Sequence, residues 1–264
     1  MSSSEVMSSP EVTSSSVVPG AEAWSHISQS PVGVLVLHGF TGNPCSMRGL
    51  AERFAAAGFN VELPRLAGHG TSMEDMLSTR WTDWTGSAEA AYNALAARSQ
   101  QIVVAGLSMG GSLALWIAGQ HAEVNGLVCV NPATMPQDPA VIEMLQDMVA
   151  GGTTVMAGIG SDIADPDAHE SAYDGTPLAC LLSLMVDGLA TIAPSYPLLT
   201  MPLLLLTSPQ DHVVEPAQGD YLATAYGGPL QRVSLERSYH VATQDYDKEL
   251  IFDEAVAFAE RVTA

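Results

Sequence analysis

Short apolar runs alternate along the chain with segments whose apolar residues recur every three or four positions. Residues 31–37 are uninterrupted in their apolar character and end in a turn, the pattern of a strand buried on both faces of a parallel sheet. Residues 101–105, Gly126–Val130 and Leu203–Thr207 repeat it, and shorter strands are expected at Asn60–Leu63, closed by Pro64, and at residues 231–235. Helices are expected at residues 46–57, 81–97, 113–121 and 218–225 and at Lys248–Val262. The helix at 81–97 shows the period best, with Trp81, Trp84, Ala88, Tyr92 and Leu95 on one face. Strand and helix in regular alternation predict an α/β fold, a mostly parallel sheet with helices on both faces.

Two segments depart from the alternation. Residues 1–18 are rich in Ser, carry no period and have too little apolar surface to offset the entropy of ordering them, so a disordered tail is expected, followed by one domain over 19–264. Residues 133–196 mix Pro, Gly and acidic residues with Met and Leu and read as an inserted lid.

Composition narrows the function. The 264 residues carry 29 acidic against 9 basic side chains, a formal charge of −20, which opposes binding to nucleic acid or to an anionic membrane surface. Pro, Gly or Ser interrupts every apolar stretch before the ~18 residues that a membrane span needs. No Lys or Arg precedes Arg48 and no continuous apolar segment opens the chain, so the cytoplasm is the expected location. Cys45, Cys129 and Cys180 are odd in number and widely spaced, the pattern of reduced thiols rather than of a disulfide framework or a zinc site. Nothing in the pattern sets an oligomeric state.

The chemistry gathers around Gly106-Leu107-Ser108-Met109-Gly110-Gly111, between a strand and a helix. A strand that turns at once into a helix forces its corner residue into a strained backbone, and small residues two before and two after let the chains close up. Such a corner lifts Ser108 clear of the sheet, over the N-terminus of the next helix. A serine hydroxyl is a poor nucleophile until an imidazole takes its proton, and the imidazole needs a carboxylate to hold its tautomer. Asp211, in the loop after Leu203–Thr207, and His240, after the following strand, lie at the same sheet edge in the chain order Ser, Asp, His, with Glu215 as the rival acid. The other histidines suit structural roles: His212 adjoins the acid, His121 ends a helix, His169 lies in the lid, His26 near the N-terminus, and His38 and His69 in glycine-rich turns. The amide of Met109 is one oxyanion donor; Phe40, after His38-Gly39, is placed to be the other, although a turn at that edge is expected in any sheet of this class.

The chain resembles the α/β-hydrolases of the monoacylglycerol lipase and short-chain carboxylesterase group over about residues 31–262. The likeness rests on five motifs in order, which are His38-Gly39-Phe40-Thr41-Gly42, Pro64-Arg65-Leu66-Ala67-Gly68-His69-Gly70, the Ser108 segment, Asp211-His212-Val213-Val214 and Ser238-Tyr239-His240-Val241. It implies Ser108 as nucleophile, Asp211 as acid, His240 as base, Phe40 and Met109 as oxyanion amides, and no metal or cofactor. The lid matches less closely, so substrate choice does not follow from the resemblance alone. Neutral esters of short to medium acyl chains are the expected substrates, because no Lys or Arg lies between Arg98 and Arg232 while nine carboxylates fall in or beside the lid. An acyltransferase or thioesterase could use the same residues, and a non-catalytic binding protein could keep the fold.

Overall fold

A computed structural model describes residues 15–158 and 160–264. Among the described residues seven strands form the main sheet, Trp24–His26 (β1), Val32–Leu37 (β2), Asn60–Leu63 (β3), Gln101–Leu107 (β4), Gly126–Val130 (β5), Leu203–Thr207 (β8) and Leu230–Ser234 (β9), in the spatial order β1-β3-β2-β4-β5-β8-β9. All six expected strands are present and parallel. The edge strand β1 was not legible in the pattern; it pairs antiparallel with β3, and the Arg48 guanidinium lies 5.1 Å over its Trp24 ring.

Because side chains alternate across a strand, each buried strand feeds two cores. Leu35, Leu37, Val104, Leu127, Cys129, Leu203 and Leu205 point to one face, under Trp81–Ala96 (α3) and Met109–Gln120 (α4). Val34, Val36, Val103, Ala105, Val128, Leu204 and Leu206 point to the other, under Cys45–Ala56 (α1) and Lys248–Val262 (α8). Helices Met73–Leu77 (α2) and Ala217–Ala225 (α7) add Met76 and Leu222 to the first of these cores. The chain moves from β2 to β3 on one side and then to β4 on the other, so the strand order reverses beside β2. Open α/β sheets bind ligands at the carboxyl ends of the strands flanking such a switch.

Between the neighbouring strands β5 and β8 lie the helix Pro139–Ala150 (α5), the hairpin Val155–Ala157 (β6) with Gly175–Pro177 (β7), and one continuous helical stretch, Leu178–Leu198 (α6). The last corrects the expectation of no apolar stretch long enough to span a membrane. Its 21 residues suffice by length and composition, and the Ser, Gly and Pro within it do not stop it. It continues because its winding changes, passing into a π-helix at Leu184–Leu189 and a 3₁₀-helix at Ala193–Leu198 that accommodates Pro197. Leu178, Leu184, Leu189, Ile192 and Tyr196 are buried, and Gly188 lies against the Trp81 ring, so a core-packed helix passes the same test.

Residues 1–14 of the expected tail lie outside the described residues. Residues 15–18 are held: the Val18 amide donates to the Gly70 carbonyl at 2.9 Å, and the Ser15 and Ser72 hydroxyls are 3.1 Å apart. The three cysteines are free thiols.

Candidate active site

The turn at Ser108 needs its glycines for space. A Cβ on Gly106 would stand 2.1 Å from the Gly110 carbonyl oxygen, and one on Gly110 would stand 2.1 Å from the Leu37 oxygen. The two residues let β4, α4 and β2 meet, and Ser108 at the corner is left at φ 57°, ψ −121°. Helix α4 starts directly at Met109, and its apolar period shows only from four residues later because Gly110-Gly111, retained for close approach, are weak helix formers. Ser108 therefore stands at the N-terminus of a 12-residue helix with no acidic residue in its first turn, a favourable place for developing negative charge.

Two later loops bring up a carboxylate and an imidazole. Asp211 Oδ2 lies 2.7 Å from His240 Nδ1, both residues buried. An acidic oxygen at Nδ1 fixes the ring's proton there and leaves Nε2 free to accept one. The other carboxylate oxygen of Asp211 accepts the amides of Val213 and Val214 at 2.8 Å each, which locks its orientation. Glu215, the rival acid, is exposed. Ser108 and His240 line one cavity; among the described residues no hydrogen bond yet joins them, a looseness common in such sites before substrate binds.

The cavity has a volume of about 320 Å³, and most of its lining comes from the segment between β5 and β8, including Met156, Leu181 and Met185. Phe40 and Gly39 line it beside Ser108, a Cβ on Gly39 reaching to 3.4 Å from the Ser108 Cβ. Among the described residues, the Phe40 and Met109 amides donate to no protein acceptor. Uncommitted N–H groups beside a nucleophile can serve an oxyanion.

Four of the other histidines make structural contacts. His38 Nδ1 donates to the Gly39 carbonyl at 3.0 Å and its Nε2 accepts the Leu66 amide at 3.1 Å, so the ring is neutral and ties the 38–42 turn to the 65–70 loop. Burial holds its pKa well below the usual histidine value and, foremost among the influences on His69, lowers that ring to about 4. His121 pairs with Glu89 at 2.9 Å, and His212 Nδ1 turns away from Asp211 to Asp162 at 2.8 Å.

A pH dependence of stability follows. His69 binds its proton near pH 6.5 when unfolded but only near pH 4 when folded, so the unfolded chain takes up the proton first. The advantage of the neutral ring is complete above pH 6.5 and is lost as pH falls toward 4, by roughly 3 kcal/mol. Urea unfolding of wild type and His69→Gln at pH 7.5 and 4.5 measures this. Wild type should lose more stability on acidification than the variant, and equal losses would show that His69 is not held neutral.

Sequence reasoning passed over Asn131, a non-glycine at φ 42° that ends β5. Its amide nitrogen donates to the carbonyls of His240 at 2.8 Å and Tyr239 at 3.2 Å, and its oxygen accepts the Ser208 amide at 2.7 Å. The Asn131-Pro132 pair at a strand end was its one visible signal. Glu170 was also missed: it lines the cavity, and burial pushes its carboxyl above the usual carboxylate range.

Residues 29–247 match a hydrolase family model described as serine aminopeptidase, S33. The chain belongs to this α/β-hydrolase family. It is 42% identical over 245 residues to a thermostable monoacylglycerol lipase of Bacillus sp. (strain H-257), covering 92% of this chain and 95% of that protein. A carboxylesterase of Bacillus subtilis (strain 168) is 24% identical over 87% of this chain and 92% of its own length. A solved structure reported with LipS and LipT, two metagenome-derived lipolytic enzymes, superposes with a TM-score of 0.87 and 40% identity, over 93% of this α/β-hydrolase and 100% of the other chain.

Proposed function

We propose that this α/β-hydrolase is a serine carboxylesterase of the cytoplasm that cleaves neutral esters of short to medium acyl chains, monoacylglycerols among them. The observation that carries the reading is the meeting of Ser108 and the Asp211–His240 pair at one largely apolar cavity, which the residue with one of the uncommitted amides, Phe40, also lines. Ser108 Oγ attacks the ester carbonyl as its proton passes to His240 Nε2, and the carbonyl oxygen, now negative, takes hydrogen bonds from Phe40 and Met109. Collapse breaks the ester bond, the alcohol leaves with the proton from His240, and water activated by His240 then releases the acid. The lipase and esterase names of the relatives support ester chemistry. Free Cys45, Cys129 and Cys180 suit a reducing compartment.

The segment between β5 and β8 acts as the lid in this reading. Its Met and Leu side chains are apolar and adaptable, as an acyl chain requires, and a cavity near the small end of the ~300–1,000 Å³ range of ligand sites favours short to medium chains. Thr41, Thr176 and Glu170 give it a few polar groups for an uncharged, hydroxylated alcohol portion.

Charge selects among esters. With no cation between Arg98 and Arg232, an anionic ester or coenzyme A thioester approaches against the field, which changes association rates by about 10–10³. Neutral esters should therefore show the higher kcat/KM against anionic esters and thioesters of the same acyl length, with the gap narrowing as salt rises. Equal rates for matched substrates at low ionic strength would contradict the charge argument. Matched amides in the same panel test peptidase chemistry, and faster cleavage of amides than esters would overturn the esterase reading.

A further inference from the structure

We propose that Asp162, a residue of the lid segment, is a positioning residue that sets the register of the base against the acid; the inference rests on the proposed roles of Ser108, Asp211 and His240. Asp211 and His240 sit on separate loops, after β8 and β9, and their 2.7 Å contact depends on how those loops are held relative to each other. One carboxylate oxygen of Asp162 accepts the backbone amide of His240 and that of His212, the residue after the acid, both at 3.1 Å. Its other oxygen accepts the His212 imidazole at 2.8 Å, and its main-chain carbonyl accepts the Val241 amide at 3.1 Å. A single buried side chain thus spans both loops.

The surroundings make this contact a fixed point. Asn131 holds the His240 carbonyl at 2.8 Å, so the base is gripped on both sides of its α-carbon, by Asp162 at its amide and by Asn131 at its carbonyl. The segment that carries Asp162 is itself tied down by the fully buried Asp245, whose carboxylate accepts the amides of Ala164 at 2.8 Å and Asp165 at 3.1 Å, and also that of Tyr239 at 2.8 Å, next to the base. The lid is therefore latched to the catalytic loops through main-chain hydrogen bonds as well as through cavity packing. Removing the Asp162 carboxylate leaves the His240 and His212 amides without their acceptor, and the base loop can shift. Displacements near 1 Å in such a constellation cost about 10² in rate.

The test separates position from charge. In Asp162→Asn the amide oxygen can still accept both backbone amides, and the amide nitrogen can donate to His212 once that ring changes tautomer. Neutral-ester kinetics should show kcat reduced on the order of 10²-fold in Asp162→Ala with KM changed little, and kcat within about threefold of wild type in Asp162→Asn. Melting curves accompany the assay. Should Asp162→Ala not fold, Asp162→Ser, whose hydroxyl is too short to span both loops, replaces it under the same criteria. Full kcat in the Ala or Ser variant, or an Asn variant as impaired as Ala, would overturn the proposal while leaving the esterase reading intact. A wild-type protein inert toward all esters and toward a fluorophosphonate probe would remove that reading and this one with it.

Discussion

Ser108→Ala should reduce ester hydrolysis on the order of 10⁶-fold in kcat while leaving the melting temperature near that of wild type. The size of the loss follows from the mechanism: without Oγ no acyl-enzyme forms, and only binding and the oxyanion donors remain to accelerate direct attack by water. The fold should tolerate the change, because the strained φ of 57° at this position is imposed by the packing of Gly106 and Gly110 rather than by the hydroxyl. His240→Ala should fall comparably, since the serine proton then has no acceptor, and Asp211→Asn somewhat less. Retention of more than a few per cent of the activity in Ser108→Ala at normal thermal stability would falsify the assignment of the nucleophile.

Phe40→Pro should lower kcat by 10²–10³-fold, about 3 kcal/mol, because proline removes one backbone donor from the oxyanion site. Phe40→Leu is the control. It keeps the amide and changes only the side chain, which packs edge-on against Trp84 with ring centroids 5.6 Å apart, so it should preserve most of kcat. Crystal structures or melting curves of the proline variant distinguish a lost donor from a distorted turn. If Phe40→Pro folds normally and retains full activity, the second donor lies elsewhere.

How far the chain could be read depended on whether the determining contacts are local. Four of the parallel strands, β2, β4, β5 and β8, were legible because burial on both faces forces continuous apolar runs, and the elbow because its glycines must bracket the corner within five residues. Helix boundaries suffered where glycine has a packing role: Gly110-Gly111 concealed the start of α4, and Gly188 against Trp81 resembled a break in α6. Strand β1 is three residues long and half-exposed, too short for a period to show. Asp162 could not be found from sequence at all, since its partners lie 50 and 78 residues away and an acidic residue in a polar loop has a surface role as its default reading. Asn131 is a similar case, reaching 109 residues along the chain to His240. The residues proposed to do the chemistry sit in motifs, whereas those that hold them in place are scattered.

Everything proposed for the site depends on Ser108 being an activated nucleophile that forms the acyl-enzyme. Treatment with a fluorophosphonate, followed by mass spectrometry of the digested protein, tests it most directly. One adduct per chain is expected, on the peptide containing Ser108, with parallel loss of esterase activity and no adduct in His240→Ala on the same timescale. An adduct on another residue, or undiminished hydrolysis with Ser108 fully labelled, would contradict it.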